Sequence, residues 1–201
     1  MNDWPQIFFS RHGETSWNLE KRYQGSLDIP LNATGQGQAD ACGPLLLDML
    51  AKNDVDPSKI DWFASPLSRA SETMQRMRAA FDLDLPVIKF DDRLREISFG
   101  IMEGKLHAEL DKDVGVLAGK RKAGYWDYCP PKGESYQDVA DRLLSFRQDL
   151  NGTCVIVAHG GVLRAMRHLI EDAPKLEMVN WPPPQGAVAH FNDGKMKLHF
   201  A

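Results

Sequence analysis

Two histidines, each at the end of a short apolar run and each followed by glycine, are the residues of this sequence best suited to chemistry. They are His12, in Ile7-Phe8-Phe9-Ser10-Arg11-His12-Gly13, and His159, in Thr153-Cys154-Val155-Ile156-Val157-Ala158-His159-Gly160-Gly161. A neutral imidazole can attack an electrophile through one ring nitrogen when the other is fixed as a donor. Arg11, beside His12, and Arg69, just after Ser65-Pro66-Leu67-Ser68, supply planar and permanently charged forks that match phosphate oxygens. The glycines next to both histidines let backbone N–H groups come close to an anion. Two histidines, two arginines and exposed amides together point to transfer of a phosphoryl group.

Such a set works only if the chain brings it together, and the surrounding pattern predicts how. Ile7 to Ser10 reads as a buried strand ending at Arg11, because it is apolar, short and bounded by Pro5 and a charge. Asn32-Ala33-Thr34-Gly35 offers a cap for a helix with Cys42, Leu45, Leu46, Met49 and Leu50 at helical spacing, and Pro44 within it predicts a kink. A second strand around Asp61 to Ala64 leads into the loop before Arg69 and a helix whose inward face holds Ala70, Thr73, Met74, Met77, Ala80 and Phe81. Pro86 to Phe90 is a third strand. Ser135 and Asp138 form a capping-box pair opening a helix with Val139, Leu143, Phe146 and Leu150 inward. Thr153 to Ala158 is the clearest buried strand, with an amphipathic helix after His159. Residues 187–191 and 195–200 flank Asn192-Asp193-Gly194 as a hairpin.

Strands alternating with helices predict a three-layer α/β/α sandwich with a mainly parallel sheet and an antiparallel edge, formed as one domain over residues 1–201. Residues 91–133, with weak periodicity, read as an insertion over one end of the sheet. In open α/β sheets ligands bind beyond the carboxyl ends of the strands, and three predicted strands deliver Arg11 with His12, Arg69, and His159 to that edge.

Composition narrows the function classes. The 201 residues carry a net charge of -4, which gives no general field for nucleic acid or an anionic membrane. The three cysteines, Cys42, Cys129 and Cys154, are widely spaced and include no Cys-x-x-Cys pair, which fits reduced thiols. No apolar run approaches the roughly 20 residues needed to span a bilayer, and the N-terminal stretch lacks the pattern of a secretory signal. The expectation is a cytoplasmic protein acting on a small phosphorylated metabolite, with no nucleic-acid or membrane partner and with homodimer formation left open. Nor is there a His-x-x-x-His pair, an aspartate cluster or cysteines at zinc spacing, so neither a metal nor another cofactor is expected.

Several segments in order resemble the histidine phosphatase superfamily, which includes the cofactor-dependent phosphoglycerate mutases. They are Arg11-His12-Gly13-Glu14-Thr15 with Trp17-Asn18; Gln24-Gly25, Asp28 and Pro30-Leu31; Ser65-Pro66-Leu67 with Arg69-Ala70; Leu94 with Glu96; Phe99-Gly100 and Glu103-Gly104; Gly133-Glu134-Ser135; and Ala158-His159-Gly160-Gly161. The resemblance implies a phosphoglycerate mutase-like fold in which His12 attacks phosphorus while Arg11, Arg69 and His159 hold its oxygens. Asn18, Gln24, Gly25 and the Gly160 amide would add substrate contacts, and Glu96 would be the general acid. It also implies that the insertion at about residues 91–133 is the segment in which relatives build the lid that selects substrate, with the part played by residues 105–132 left open.

Phosphomonoester hydrolysis is the leading activity, with a phosphoglycerate mutase as the nearest alternative and an inactive phosphate-binding or scaffold protein as a second. Glu14 and Glu103 are rival carboxylates that either orient other groups or are solvated. Met102 stands where relatives commonly carry Trp, which changes the neighbouring wall. Trp17 reads as packing behind the first loop, and His107, His168, His190 and His199 as structural or exposed. Tyr125-Trp126-Asp127-Tyr128 and Lys120, Arg121 and Lys122 are equally compatible with a solvated loop and with substrate contact. Trp181-Pro182-Pro183-Pro184 reads as a rigid connection, so neither segment is assigned to the site.

Overall fold

A computed structural model describes residues 4–110 and 124–201. Six strands form one sheet in the order β3-β2-β4-β1-β5-β6, with β1 at Ile7–Arg11, β2 at Asp61–Ala64, β3 at Ile88–Phe90, β4 at Cys154–Ala158, β5 at Ala187–Asn192 and β6 at Lys195–Phe200. The first four run parallel, and β5 and β6 join antiparallel on the β1 side. This is the mixed sheet expected. Every residue of β4 is buried, as a strand covered on both faces must be.

Alternation along the strands divides the core into two layers. Phe8, Trp62, Ala64, Val155 and Val157 face helices α2 (Ala33–Lys52) and α3 (Ser68–Arg78), meeting Leu46, Leu50, Met74 and Met77. Ile7, Phe9, Phe63, Ile156 and Ala158 face the opposite way, against Val139, Leu143 and Phe146 of α5 (Tyr136–Arg147) and Val162 and Met166 of α6 (Gly160–Glu171). Three short helices complete the set among the described residues: α1 at Ser16–Leu19, α4 at His107–Leu110 and α7 at Lys175–Asn180.

The local signals act as their chemistry requires. Asn32 caps α2 by accepting from the Gly35 N–H at 2.8 Å, and Ser135 with Asp138 closes a capping box on α5. Asp193 and Gly194 both take positive φ, 48° and 74°, the backbone a two-residue hairpin turn demands. Pro44 lies within α2 on an exposed side, with helix both before and after it. Two helix ends come earlier than expected. Helix α3 ends at Arg78, so Ala80 and Phe81 pack from the loop beyond; Leu150 likewise lies past α5. Of residues 91–133, the described part contains two 3₁₀ turns at Asp92–Leu94 and Gly100–Met102, besides α4. Lys120, Arg121 and Lys122 lie outside the described residues.

Candidate active site

Strands β1 and β4 are adjacent, parallel and paired so that Arg11 lies opposite Ala158, which brings the residues just beyond them, His12 and His159, side by side. The His12 N–H continues the ladder to the Ala158 carbonyl at 2.9 Å, and the two rings lie 5.1 Å apart at 58°. Both side chains are buried. The His12 Nδ1 is 2.7 Å from the Gly13 carbonyl, an oxygen that can only accept, so Nδ1 carries the hydrogen and Nε2 keeps its lone pair. Gly13 is fixed in turn by donating to Thr73 Oγ1 at 3.1 Å.

Burial and the positive charges of Arg69 and Arg11 hold the His12 pKa well below the usual histidine range; burial, then Arg69, does the same to His159. Both imidazoles therefore stay neutral near pH 7. His159 Nε2 lies 2.7 Å from Ser65 Oγ, which already accepts from the Leu67 N–H at 3.3 Å. With the Ser65 hydroxyl hydrogen turned to Nε2, the proton of the neutral ring sits on Nδ1.

The arginines are braced by backbone carbonyls. Arg69, at the start of α3, is fully buried and donates from Nη1 to Leu27 O at 2.8 Å and from Nη2 to Gly25 O at 2.9 Å. Arg11 donates from Nη1 to Pro183 O at 2.7 Å; burial lowers its pKa to about 10, opposed by Glu96, so it stays charged. Three buried polar atoms around His12 have no partner among the described residues: Arg11 Nε, Arg69 Nε and His159 Nδ1. Buried donors are rarely left unpaired, and three beside one free imidazole lone pair form a receptor for a tetrahedral oxyanion. The first N–H groups of α6, which starts at Gly160, add the positive end of a helix dipole.

Glu96 faces the same space, a cavity of about 390 Å³ that also contains His12, Arg11 and Arg69. Its Oε1 accepts from the Gly161 N–H at 2.9 Å and the Ile97 N–H at 3.0 Å, so Oε2 is the oxygen left to exchange a proton. The glycine leaves room for this contact, because a Cβ at Gly161 would lie 2.4 Å from that Oε1 and push the carboxylate away.

The model of the histidine phosphatase superfamily, branch 1, matches residues 7–199. The chain belongs to this family. Relatives include a glucosyl-3-phosphoglycerate phosphatase of Mycobacterium tuberculosis, 33% identical over 88% of this chain and 78% of its own length. A 2,3-bisphosphoglycerate-dependent phosphoglycerate mutase of Gloeobacter violaceus is 32% identical over 78% of this chain and 71% of its own. Among solved structures, the mycobacterial glucosyl-3-phosphoglycerate phosphatase in complex with VO3 superposes with a TM-score of 0.75 at 26% identity, over 98% of this chain and 97% of that one. Phosphatases and mutases alike transfer phosphoryl groups, and this chain is a phosphoryl-transfer enzyme of the same family.

The remaining expected residues of this histidine phosphatase line the same cavity. Asn18 Oδ1 accepts from the Thr15 N–H and from Gln185 Nε2, each at 3.1 Å, which turns the amide nitrogen of Asn18 toward other partners. Gln24 is buried with its Oε1 on the Thr15 hydroxyl, while Gly25, at φ 57°, offers the carbonyl that holds Arg69. Gly160 touches Arg11 closely enough that a Cβ would sit 3.4 Å from its Nε. The rival carboxylates separate clearly. Glu103 accepts from the Ser26 N–H, the Ser26 and Ser98 hydroxyls and the Phe99 N–H, and Glu14 accepts from Asn32. Both orient loops.

Other residues enter that the sequence reading left aside. Pro183, read as part of a rigid connection, lines the cavity and holds Arg11 through its carbonyl; Trp17, read as packing, and His107, on the rim, line it too. Tyr125 and Tyr128 reach the cavity while Trp126, between them, is buried against Tyr136 and His168. Arg164 and Tyr136 are further cavity residues with no motif to mark them. The one available signal was position, since Arg164 falls within the first helical turns after His159.

Proposed function

We propose that this enzyme is a metal-independent phosphomonoesterase that works through a phosphohistidine at His12. The supporting observation is the His12 Nδ1–H donating to Gly13 O at 2.7 Å, which leaves Nε2 as an unprotonated nucleophile beside the unpartnered donors of Arg11, Arg69 and His159. In the first step Nε2 forms a bond to phosphorus as the bond to the ester oxygen breaks, and Glu96 gives that oxygen its proton. In the second, water attacks phosphorus, the P–N bond breaks, Glu96 takes the water's proton, and inorganic phosphate leaves. A positioned acid or base usually gives about 10²–10⁴ in rate and each preorganised donor about 10²–10³, so this set supplies a large part of the rate enhancement from the chain's own side chains.

The test is p-nitrophenyl phosphate hydrolysis by the wild type and by His12→Ala, combined with trapping of labelled enzyme. We expect turnover and an acid-labile, base-stable phosphoryl label that both disappear in the variant. Turnover unchanged by His12→Ala would refute the covalent step.

The similarity to the Gloeobacter mutase keeps mutase transfer as the second reading. A mutase must keep the phosphohistidine until the intermediate has turned over, so the rate of label loss to water decides between them. For the leaving group, sugar phosphates, phosphoglycerates and the α-ribazole phosphate named for solved relatives are the first to screen.

A further inference from the structure

Arg164 is a charged group of the cavity that phosphoryl transfer does not consume. Arg164 projects from α6 into the cavity, with its Nε donating to Trp181 O at 2.8 Å and its Nη1 to the Tyr136 hydroxyl at 3.0 Å. Two of its three nitrogens are thus pinned, and Nη2 remains for the cavity. Of the other cations that line the cavity outside the phosphate site, Arg22 pairs with Glu20 and Lys21 is exposed, whereas Arg164 is half-buried. Among the described residues no carboxylate pairs with Arg164. In this respect it matches Arg11 and Arg69, whose unmatched charge the transferred phosphate would neutralise.

Its two partners are themselves packed. Tyr136 is the first residue of α5, its ring stacks on buried Trp126 at 5.4 Å, and Trp181 follows α7, so three elements converge on one guanidinium. Because Tyr136 O accepts from Arg164, its own O–H is a second donor, and burial keeps that phenol protonated by raising its pKa. A half-buried, immobilised guanidinium with no counter-charge suits an anion that arrives from outside. Such a group, with a neutral phenol donor beside it, is poorly suited to an apolar leaving group.

We propose that Arg164, braced by Tyr136, is a specificity-determining residue that binds an anionic group, a carboxylate or a second phosphate, on the leaving-group part of the substrate. This rests on the reading that the phosphoryl group sits at His12, and it adds the chemistry of the rest of the molecule.

Three ligands with the same primary phosphoester separate the cases: glycerol 3-phosphate, with an uncharged far end; 3-phosphoglycerate, with a carboxylate; and glycerol 1,3-bisphosphate, with a second phosphate. Affinities are measured by calorimetry in His12→Ala, which removes the proposed nucleophile so that no phosphate is lost during titration, and again in His12→Ala with Arg164→Met. We expect at least one anionic ligand to bind about tenfold or more tighter than glycerol 3-phosphate, the scale of one charge-assisted hydrogen bond, and Arg164→Met to abolish that ratio. Tighter 3-phosphoglycerate identifies the carboxylate, and tighter bisphosphate the second phosphate. Tyr136→Phe, which keeps the packed ring, should reduce the ratio part-way and guards against misfolding of the Arg164 variant. Equal affinities for all three ligands, or a ratio that survives Arg164→Met, would overturn the assignment. Failure of the phosphohistidine reading is seen separately, as turnover persisting in His12→Ala.

Discussion

Lowering the pH should destabilise the enzyme through its two site histidines, by an amount that follows from their burial. A histidine in the unfolded chain titrates near 6.5, whereas His12 and His159 are held well below that value by desolvation and by Arg69. Between the two values the unfolded chain binds protons that the folded chain does not, so stability is full above about pH 6.5 and falls as the pH drops through that region. From pH 7 to pH 5.5 the protonated fraction of an unfolded histidine rises from about one quarter to about nine tenths. Each buried, neutral histidine then costs about 1.2 kcal/mol, and the pair about 2.5 kcal/mol. His190 and His199 are also held low but are far less buried, so they add to the wild-type slope. The informative quantity is therefore the difference between wild type and His12→Asn, whose amide can still donate to Gly13 O. Urea unfolding in phosphate-free buffer at the two pH values should show a dependence about 1.2 kcal/mol smaller in the variant. Identical dependences would mean that His12 titrates normally in the folded state, so that burial and the arginines do not hold it neutral at acid pH.

Glu96→Gln should slow hydrolysis of alkyl phosphates by about 10²-fold while affecting p-nitrophenyl phosphate far less, since only the poor leaving group needs the proton; equal losses measured on both would move the acid elsewhere. Gly161→Ala drives a Cβ to 2.4 Å from Glu96 Oε1 and should reproduce that selective loss. Gly13→Ala would bring a Cβ within 2.2 Å of the Gly35 carbonyl, where backbone lies on both sides, and should lower stability by about 3 kcal/mol in urea unfolding. Treatment with a strong chelator should leave p-nitrophenyl phosphate turnover unchanged.

The parts of this protein that were legible in its sequence are those where one residue type has one structural use. Buried strands bounded by charge marked β1, β2 and β4, the Asn32 and Ser135 caps marked helix starts, and glycine beside histidine marked the two loops of the site. Helix ends were less visible, because Phe81 and Leu150 are buried whether they lie on a helix or just past it. Carboxylate roles were ambiguous for a related reason: Glu96 and Glu103 are told apart by which amides and hydroxyls reach them and by which of them faces the cavity, and that depends on loops brought together by tertiary contacts. Arg164 was illegible on the same ground, since an arginine on an amphipathic helix is ordinary until its partners, Tyr136 and the Trp181 carbonyl, are seen converging on it. Pro183 contributes a backbone oxygen, which no side-chain pattern can advertise.

The alignment of β1 with β4 carries one more consequence. His12 and His159 adjoin paired positions on neighbouring strands that are far apart in the sequence, so a slip of one residue in that pairing would send one histidine to the opposite layer. Catalytic recovery after refolding therefore counts only molecules whose central pairing has closed correctly. Parallel pairing across so long a stretch of chain is slow compared with helix formation. Far-ultraviolet circular dichroism should accordingly return ahead of turnover, and the interval between them times the closure of the middle of the sheet.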